Sequence, residues 1–204
     1  MSAPAQPYRI DAARSQVLIL VYRDGPMARL GHNHVLSVHA LSGEVLMAAE
    51  PAQSSFSLAF PVAAISIDDP ALRAQGGDDF KEPIDAAGIE GTRTHMLGEQ
   101  LLDAARYPDI RVASAGLRAE ADHWLVQLHI TVRDHDCTAE VPMSFAATGD
   151  ELSANGEFDL THTQLGLTPY SVALGALRVA ETIHIRYRVI ARRAGASAGR
   201  SENP

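Results

Sequence analysis

Two histidines stand two residues apart in a segment whose apolar residues alternate with polar ones. His32 and His34 occupy even-numbered positions, the same parity as three apolar neighbours, Leu30, Leu36 and Val38. On a strand, residues of one parity point to the same face, and their Cα atoms are roughly 6.5–7 Å apart at a separation of two. From that spacing, two imidazoles can reach one Zn²⁺ or a similar divalent cation. The pair is therefore a candidate metal site.

A third histidine falls on an apolar face as well. His162 has the parity of Phe158 and Leu160, and it could complete the metal site, as could His95. Two other interpretations stay open for these histidines. Each could be a neutral, hydrogen-bonded residue of the core, or its N–H could bind the polar head group of a lipid at the mouth of a cavity.

Other chemistries find no support in the sequence. The adjacent letters His-Asn-His are not the nuclease signature of that name, which spreads its residues over a hairpin and a helix. Twenty-five acidic and seventeen basic residues give a net charge of -8, which disfavours a nucleic-acid partner. A G-x-S-x-G elbow and a glycine-rich phosphate loop are both absent. We therefore expect no catalytic residues and no enzyme.

The remaining groups that could react are expected to have ordinary roles. The carboxylate pairs Asp68-Asp69 and Asp78-Asp79 lie in connections, and we predict that both are solvated. Cys137 opens a predicted strand and is interpreted as a small buried apolar residue.

Strands must carry most of these residues, because apolar and polar residues alternate along much of the chain. The alternation is cleanest from Trp124 to Val132. Strands are predicted at 15–22, 29–47, 54–68, 109–119, 123–134, 137–148, 151–163 and 178–192. Turns are predicted at Asp24-Gly25-Pro26, Gly149-Asp150 and Asn155-Gly156, with a hairpin tip at Asp134-His135-Asp136. The predicted class is mainly β.

One segment has the period of a helix. From Thr92 to Arg106, leucines and alanines recur at spacings of three and four, and Pro108 follows as a stop. We predict a single short helix there. The acidic, glycine-rich connection at 76–90 has neither period and is interpreted as a surface loop.

Eight half-buried, antiparallel strands fit either a closed barrel or a two-sheet sandwich. The predicted strands are longer than the usual five or six residues, and long tilted strands favour a ligand-enclosing barrel. We predict one barrel domain at 8–193, with disordered tails at 1–7 and 194–204.

The apolar faces of these strands would line the interior of the barrel. That interior could be filled by its own side chains or could hold a ligand, and the low aromatic content of 5% favours a cavity. The predicted ligand-binding residues are Leu30, His32, His34, Leu36, Phe56, Leu58, Phe60, Met96, Leu97, Trp124, Val126, Leu128, Ile130, Met143, Phe145, Phe158, Leu160 and His162.

Several short motifs are shared with a known family. They are Tyr8-Arg9-Ile10-Asp11, Leu41-Ser42-Gly43-Glu44-Val45, His95-Met96-Leu97 followed by Tyr107-Pro108-Asp109-Ile110, Leu128-His129-Ile130-Thr131-Val132-Arg133, and Leu165-Gly166-Leu167. Together they resemble the YceI-like proteins over most of residues 8–192. The chain departs from the family pattern at His32 and His34, at Asp134 in place of a glycine, and in the long insertion at 76–90.

The resemblance implies a lipocalin-like barrel with an elongated apolar cavity, capped by the helix that carries Met96 and Leu97. It implies non-enzymatic binding, carriage or storage of a polyisoprenoid or isoprenoid quinone, with no cofactor. The alternative is a metal-binding barrel, enzyme or sensor, in which His32, His34 and His162 are ligands.

Expected partners are a hydrophobic lipid and, as the default oligomer, a second copy of the chain. No stretch is long and apolar enough for a membrane span, so stable insertion is not expected. A cytoplasmic location is expected if Met1 is the native start, and a periplasmic one if a signal segment was removed.

Overall fold

The computed structural model describes residues 4–195, which form twelve strands and two α-helices. The strands are β1 (Gln6–Ile10), β2 (Gln16–Asp24), β3 (His34–Ser37), β4 (Ser42–Met47), β5 (Ser55–Pro61), β6 (Ser66–Ile67), β7 (Asp109–Ala119), β8 (Trp124–Val132), β9 (His135–Thr148), β10 (Glu151–Thr161), β11 (Ser171–Val172) and β12 (Leu177–Arg193). The helices are α1 (Pro70–Arg73) and α2 (Ala86–Leu97).

Eight of the strands close into an antiparallel barrel. Their order is β1-β4-β5-β7-β8-β9-β10-β12, and the ring closes because β12 pairs with β1, with Tyr8 opposite Arg193. The other edge of β1 pairs with β4, where Tyr8 lies opposite Val45. The predicted fold class, a single antiparallel barrel of about eight strands, is confirmed.

The first three strands of the barrel are each broken into two pieces. After a turn at 11–15, β2 continues β1 and pairs with the first part of β12. In the same way β3 precedes β4, and β6 follows β5. β3 pairs with β2, and the only partner of β6 in the described ladders is β3. At this end of the barrel the wall therefore has no ladder between β6 and β7.

The two ends of the barrel differ in what covers them. Short connections at 48–54, 120–123 and 149–150 lie at one end, which we call the turn end. The connections at 25–33 and 162–176 lie at the other, together with α2 and the residues after it. We call that the helix end. There Arg93 of α2 donates to the carbonyls of Ala63 and Ile65 at 2.9 and 3.1 Å, and α2 stands beside the unpaired edge of β6.

Most strand predictions are close to the structure, but the segments predicted as single strands at 29–47 and 54–68 are each two shorter strands. Other differences lie at turns and ends. Asn155 and Gly156, predicted as a turn, lie inside β10, opposite Arg188 and Tyr187. The predicted tip at 134–136 is a two-residue turn at 133–134, with Arg133 at φ +58°. β11 was not predicted, and β1 was indicated only by the family motif Tyr8-Arg9-Ile10-Asp11, which resembles an opening strand.

The helix prediction was wrong in its bounds. α2 begins at Ala86, because the Asp85 side chain accepts a hydrogen bond from the N–H of Gly88 and caps the first turn. It ends at Leu97, before Gly98. The leucines at 101 and 102 follow in turns that close on Gly98, whose carbonyl accepts from both Leu101 and Asp103. Their helical spacing comes from packing into the barrel end.

A second helix was missed, as was a second apolar cluster. The carboxylate of Asp69 accepts from the N–H groups of Ala71 and Leu72, and Pro70 occupies the first position of α1. The segment after α1 folds over the outer face of β2 and β3. Its Phe80, 1% exposed, packs on residues that point away from the barrel interior. These are Leu18, Leu20 and Val35. The region predicted as a surface loop, 76–90, is therefore partly buried, and its last five residues belong to α2.

Most residues of the two predicted tails lie outside the part of the chain that the structure describes. Residues 1–3 and 196–204 lie outside the described residues. Gln6 and Pro7 belong to β1, and the N–H of Ala194 donates to the carbonyl of Pro7 at 2.9 Å.

Candidate functional site: the barrel interior

A cavity of about 240 Å³ lies inside the barrel. It extends from Leu165 at the helix end to Pro51 at the turn end. Inward residues recur at every second position because successive side chains of a strand point to opposite faces. Ten of the predicted ligand-binding residues line this cavity: Phe56, Leu58, Phe60, Val126, Leu128, Ile130, Met143, Phe145, Phe158 and Leu160.

Other predicted residues lie near the cavity without lining it. Trp124 packs on Phe145, with ring centroids 5.6 Å apart. Met96 is 5% exposed and belongs to the barrel's main apolar cluster, against which Leu97 and Leu36 pack. Met96 and Leu97 lie at the helix end, where a cap was expected.

Leu30 stands apart from the rest. It ends a short 3-10 turn, Ala28–Leu30, and is 60% exposed. The parity argument fails for Leu30 and His32 because β3 starts only at His34, so the residues before it do not follow the alternation of a strand. From His34 onward the parity holds, and Leu36 and Val38 both join the main cluster.

More residues line the cavity than were predicted. The long strand β12 contributes Ile183, Ile185, Tyr187, Val189 and Ala191, whose alternation was visible in the sequence. The other lining residues come from every remaining barrel strand and its flanking turns: Ile10, Val17, Ile19, Leu41, Val45, Met47, Pro51, Ser54, Ser55, Ile110, Val112, Leu117, Val132, Val141, Leu152, Ser153, Ala154 and Leu165. The same period of two could have identified most of them.

The polar groups of the lining are few and uncharged. They are the hydroxyls of Tyr187 and of three serines, Ser54, Ser55 and Ser153, and among residues 4–195 no charged side chain lines the cavity. Ser54 and Ser55 lie where the 48–54 connection joins β5. The interior can therefore bind a hydrocarbon chain, and its few hydrogen-bonding groups are hydroxyls.

Tyr187 is the largest polar side chain on the wall. Its hydroxyl donates to the carbonyl of Pro142 at 3.3 Å, and burial raises the pKa of Tyr187 to about 12. Gly156 lies opposite, and a Cβ there would stand 2.8 Å from the Tyr187 hydroxyl oxygen. The ring can occupy this place only because residue 156 has no side chain.

His34 belongs to a buried polar cluster outside the cavity. Its Nδ1 lies 2.6 Å from Oδ2 of Asp68, while Oδ1 of Asp68 accepts from Arg73 at 2.5 Å and from the N–H of Val35 at 2.9 Å. Arg73 also donates to the carbonyls of Asn33 and Glu82. These bonds tie β3 to α1 and to the segment that follows it. We call His34, Asp68 and Arg73 the ion cluster.

The prediction that Asp68 is solvated was therefore wrong. Its side chain is 0% exposed. Burial by itself would raise the pKa of the carboxyl, but the hydrogen bonds from His34 and Val35, the charge of His34 and the hydrogen bond from Arg73 together lower the pKa below its usual value. Asp78, by contrast, is exposed and pairs with Lys81 across one turn.

The three candidate metal ligands do not converge. The rings of His32 and His34 are 6.4 Å apart between centroids, but Nδ1 of His34 is bonded to Asp68. His162 is 7% exposed, and its Nδ1 bonds the carbonyl of Glu181 at 3.0 Å. Within residues 4–195, no three histidine, cysteine or acidic side chains form a group that could hold a metal ion. His95 stacks on Tyr170 at 4.2 Å.

Two smaller observations bear on other classes of function. Burial, with a smaller effect of Asp136, raises the pKa of the Cys137 thiol, which packs against the main cluster. Among the helices of the described chain, none combines the length and apolar character needed to cross a bilayer.

The comparisons with known proteins agree with this architecture. The sequence model of the YceI-like domain matches residues 8–191. The crystal structure of BcnA from Burkholderia cenocepacia superposes with a TM-score of 0.64 at 17% identity, covering 89% of this chain and 98% of that one. A YceI protein from Campylobacter jejuni superposes with a TM-score of 0.56 at 8% identity, covering 78% and 84%. No curated protein matches the sequence. At these identities the structural likeness concerns the fold alone.

Proposed function

The chain belongs to the YceI-like family, and from that premise we propose that it binds a long-chain amphiphilic lipid, a polyisoprenoid or an isoprenoid quinone, inside the barrel. The proposed role is carriage or storage without chemical change to the ligand. The observation that carries it is the cavity of about 240 Å³, whose wall is apolar apart from four hydroxyl groups.

The chemistry of the wall favours a hydrocarbon chain over a charged ligand. Burying one CH₂ group contributes about 0.8 kcal/mol, so even part of a prenyl chain would bind with useful affinity. A carboxylate or phosphate in the same place would lose its hydration without an opposite charge to replace it, since the lining residues of the described chain are uncharged. A charged head group must therefore stay outside.

The size of the cavity limits how much of a ligand the barrel can enclose in this conformation. Pockets for small molecules usually have volumes of about 300–1,000 Å³, and this one is smaller. A long polyisoprenoid would displace flexible lining side chains such as Met47 and Met143, or would leave part of its length outside. Methionines suit this role because their side chains adapt to irregular space.

The direct test is to fill the cavity by placing a larger side chain on its wall. Ala154 lines the cavity and Asn155, the next residue of β10, is exposed on the outer face. We expect Ala154→Phe to reduce binding of a fluorescent prenyl probe at least tenfold, whereas Asn155→Phe adds the same ring outside and should bind as the wild type does.

Native mass spectrometry gives an independent measurement of the same proposal. Gently purified wild-type protein should carry a species of several hundred daltons that extracts into chloroform, and Ala154→Phe should carry less of it. If no such species is found after expression in several hosts, and the probe binds the two variants equally, the proposed function is wrong.

A further inference from the structure

The pairing between β9 and β10 covers only the part of these two strands that is nearest the turn end. It ends at Asn155, which lies opposite Ser144. β9 extends beyond that point to His135 and β10 to Thr161, but in the described ladders β9 pairs there with β8 alone and β10 with β12 alone. The barrel wall therefore has a gap in its pairing between β9 and β10.

A proline lies where this pairing stops. Pro142 of β9 has no N–H to donate to the neighbouring strand. Its carbonyl oxygen faces β10, since a Cβ placed on Gly156 would lie 2.7 Å from it. At this point the wall thus presents a carbonyl that has no ladder partner on β10 among the described pairs.

The hydroxyl of Tyr187 reaches this carbonyl from β12, across β10. The tyrosine ring lies over Gly156, and its hydroxyl oxygen is 3.3 Å from the carbonyl oxygen of Pro142. Hydrogen bonds from a hydroxyl to an oxygen are usually about 2.7–2.8 Å long, so this one is weak and easily exchanged. A donor and an acceptor therefore stand side by side at the wall of the cavity.

Tyr187 lies farther from the turn end than the other hydroxyls of the cavity wall. Two of the three serines lie where β5 begins, and Ser153 is close to the start of β10. Gly156, opposite Tyr187, is at the middle of β10. Within the described lining, Tyr187 is therefore the hydroxyl that a polar group in the middle of the barrel would meet.

The pair formed by Tyr187 and the Pro142 carbonyl fits an alcohol better than a quinone. A hydroxyl group can accept a hydrogen bond from Tyr187 and donate one to the Pro142 carbonyl at the same time. A quinone carbonyl can only accept. It would take the Tyr187 donor away from Pro142 without replacing it, and losing a hydrogen bond costs free energy.

A phosphate fits this place poorly because of its charge. The arginines on either side of Tyr187 in β12 belong to the outer face: Arg186 pairs with Glu157 at 3.3 Å, and Arg188 lies opposite the exposed Asn155. The cavity lining of the described chain is uncharged. A phosphate beside Tyr187 would therefore lose its hydration without gaining an opposite charge.

We propose that the Tyr187 hydroxyl and the Pro142 carbonyl bind the hydroxyl group of a long-chain alcohol, which the barrel takes in preference to the phosphate of the same chain. This inference rests on the lipid-binding function proposed above, and it names the polar end of the ligand and the residues that recognise it. Because burial raises the pKa of Tyr187 to about 12, its hydroxyl is protonated and can donate at neutral pH.

Competition against the fluorescent prenyl probe tests the inference. The competitors are geranylgeraniol, its monophosphate, and the hydrocarbon of the same chain without the hydroxyl. We expect the wild type to bind the monophosphate at least about tenfold more weakly than the alcohol. Tyr187→Phe should weaken binding of the alcohol about fivefold, the contribution of one hydrogen bond, and should leave binding of the hydrocarbon unchanged.

Tyr22→Phe is the matched control, because it removes a phenol hydroxyl outside the cavity. Tyr22 packs on Phe80 over the outer face of β2, with ring centroids 5.3 Å apart. This variant should bind all three competitors as the wild type does. If Tyr187→Phe only disturbed the fold, it would weaken the alcohol and the hydrocarbon alike, so the ratio of the two affinities separates recognition from a structural effect.

The inference is overturned if Tyr187→Phe keeps the wild-type ratio of alcohol to hydrocarbon affinity, or if the wild type binds the monophosphate as tightly as the alcohol. In both cases the hydrocarbon still displaces the probe, and Ala154→Phe still weakens all three competitors, so the lipid-binding function stands. If neither the alcohol nor the hydrocarbon displaces the probe from the wild type, the lipid-binding function fails and this inference fails with it.

Discussion

Nδ1 of His34 lies 2.6 Å from Oδ2 of Asp68, in a pair whose carboxylate is fully buried and whose imidazole is 16% exposed. The other carboxylate oxygen, Oδ1, accepts two further hydrogen bonds, from Arg73 and from the N–H of Val35. A histidine that the spacing of the sequence suggested as a metal ligand is thus bonded to a structural carboxylate.

Removing the charge of Asp68 should destabilise the whole fold. Asp68→Asn leaves Arg73 buried beside a neutral group, and breaking a buried ion pair costs about 3–5 kcal/mol. We expect that loss in the free energy of unfolding, measured by urea denaturation followed by circular dichroism. Asp78→Asn, at an exposed pair with Lys81, should change it by less than about 0.5 kcal/mol. Equal midpoints for the two variants would contradict the buried role of Asp68.

The carboxyl group of Asp68 also predicts part of the loss of stability at low pH. Its pKa is lower in the folded protein than in the unfolded chain, where an aspartate has a pKa of about 3.9. The ionised form therefore contributes stability that is complete above that pH and is lost as the pH falls through the lower, folded value. We expect the urea midpoint of the wild type to fall below pH 4 more steeply than that of Asp68→Asn. Parallel curves would show that other carboxyls account for the loss.

Tyr187 predicts a loss of stability at high pH. Burial raises its pKa to about 12, against about 10 in the unfolded chain. Because the neutral phenol is favoured in the fold, its contribution is complete below pH 10 and is lost as the pH rises towards 12. The free energy of unfolding of Tyr187→Phe should therefore fall less steeply between pH 10 and 12 than that of the wild type. The ultraviolet titration of the variant should lack the tyrosinate that forms last. A variant that keeps this late step would show that another tyrosine is responsible.

Gly156 should tolerate no side chain. A Cβ at this position would lie 2.7 Å from the carbonyl oxygen of Pro142 and 2.8 Å from the Tyr187 hydroxyl, so Gly156→Ala forces the strands or the ring to move. We expect a loss of about 1–3 kcal/mol in the free energy of unfolding.

The matched control for this substitution lies in α2. A Cβ at Gly91 meets nothing within 4 Å, so Gly91→Ala should stabilise the helix by up to about 1 kcal/mol. Thermal unfolding of both variants measures the difference, and a Gly156→Ala protein as stable as the wild type would mean that Tyr187 is not held as described.

The sequence predicted the barrel well because alternation is a local property of a strand. The inward parity of Val126, Leu128 and Ile130 follows from the geometry of three or four consecutive residues, and all three line the cavity. The helix was harder to place. The leucines at 97, 101 and 102 have helical spacing, but the capping side chain of Asp85 lies in a segment with no period at all.

The same distinction between local patterns and long-range contacts applies to the candidate site. By itself, the sequence determined which residues face inward on regular strands and that the interior is apolar, since both depend on side-chain type and on a period of two. Only the tertiary structure decided the fate of His34, Leu30 and Asp68. Much of their surroundings comes from residues far away in the sequence, such as Asp68 for His34, 34 positions apart, and Leu177 beside the turn of Leu30. Contacts over such distances depend on how distant segments of the chain pack together in the tertiary fold, and no local sequence pattern encodes that packing.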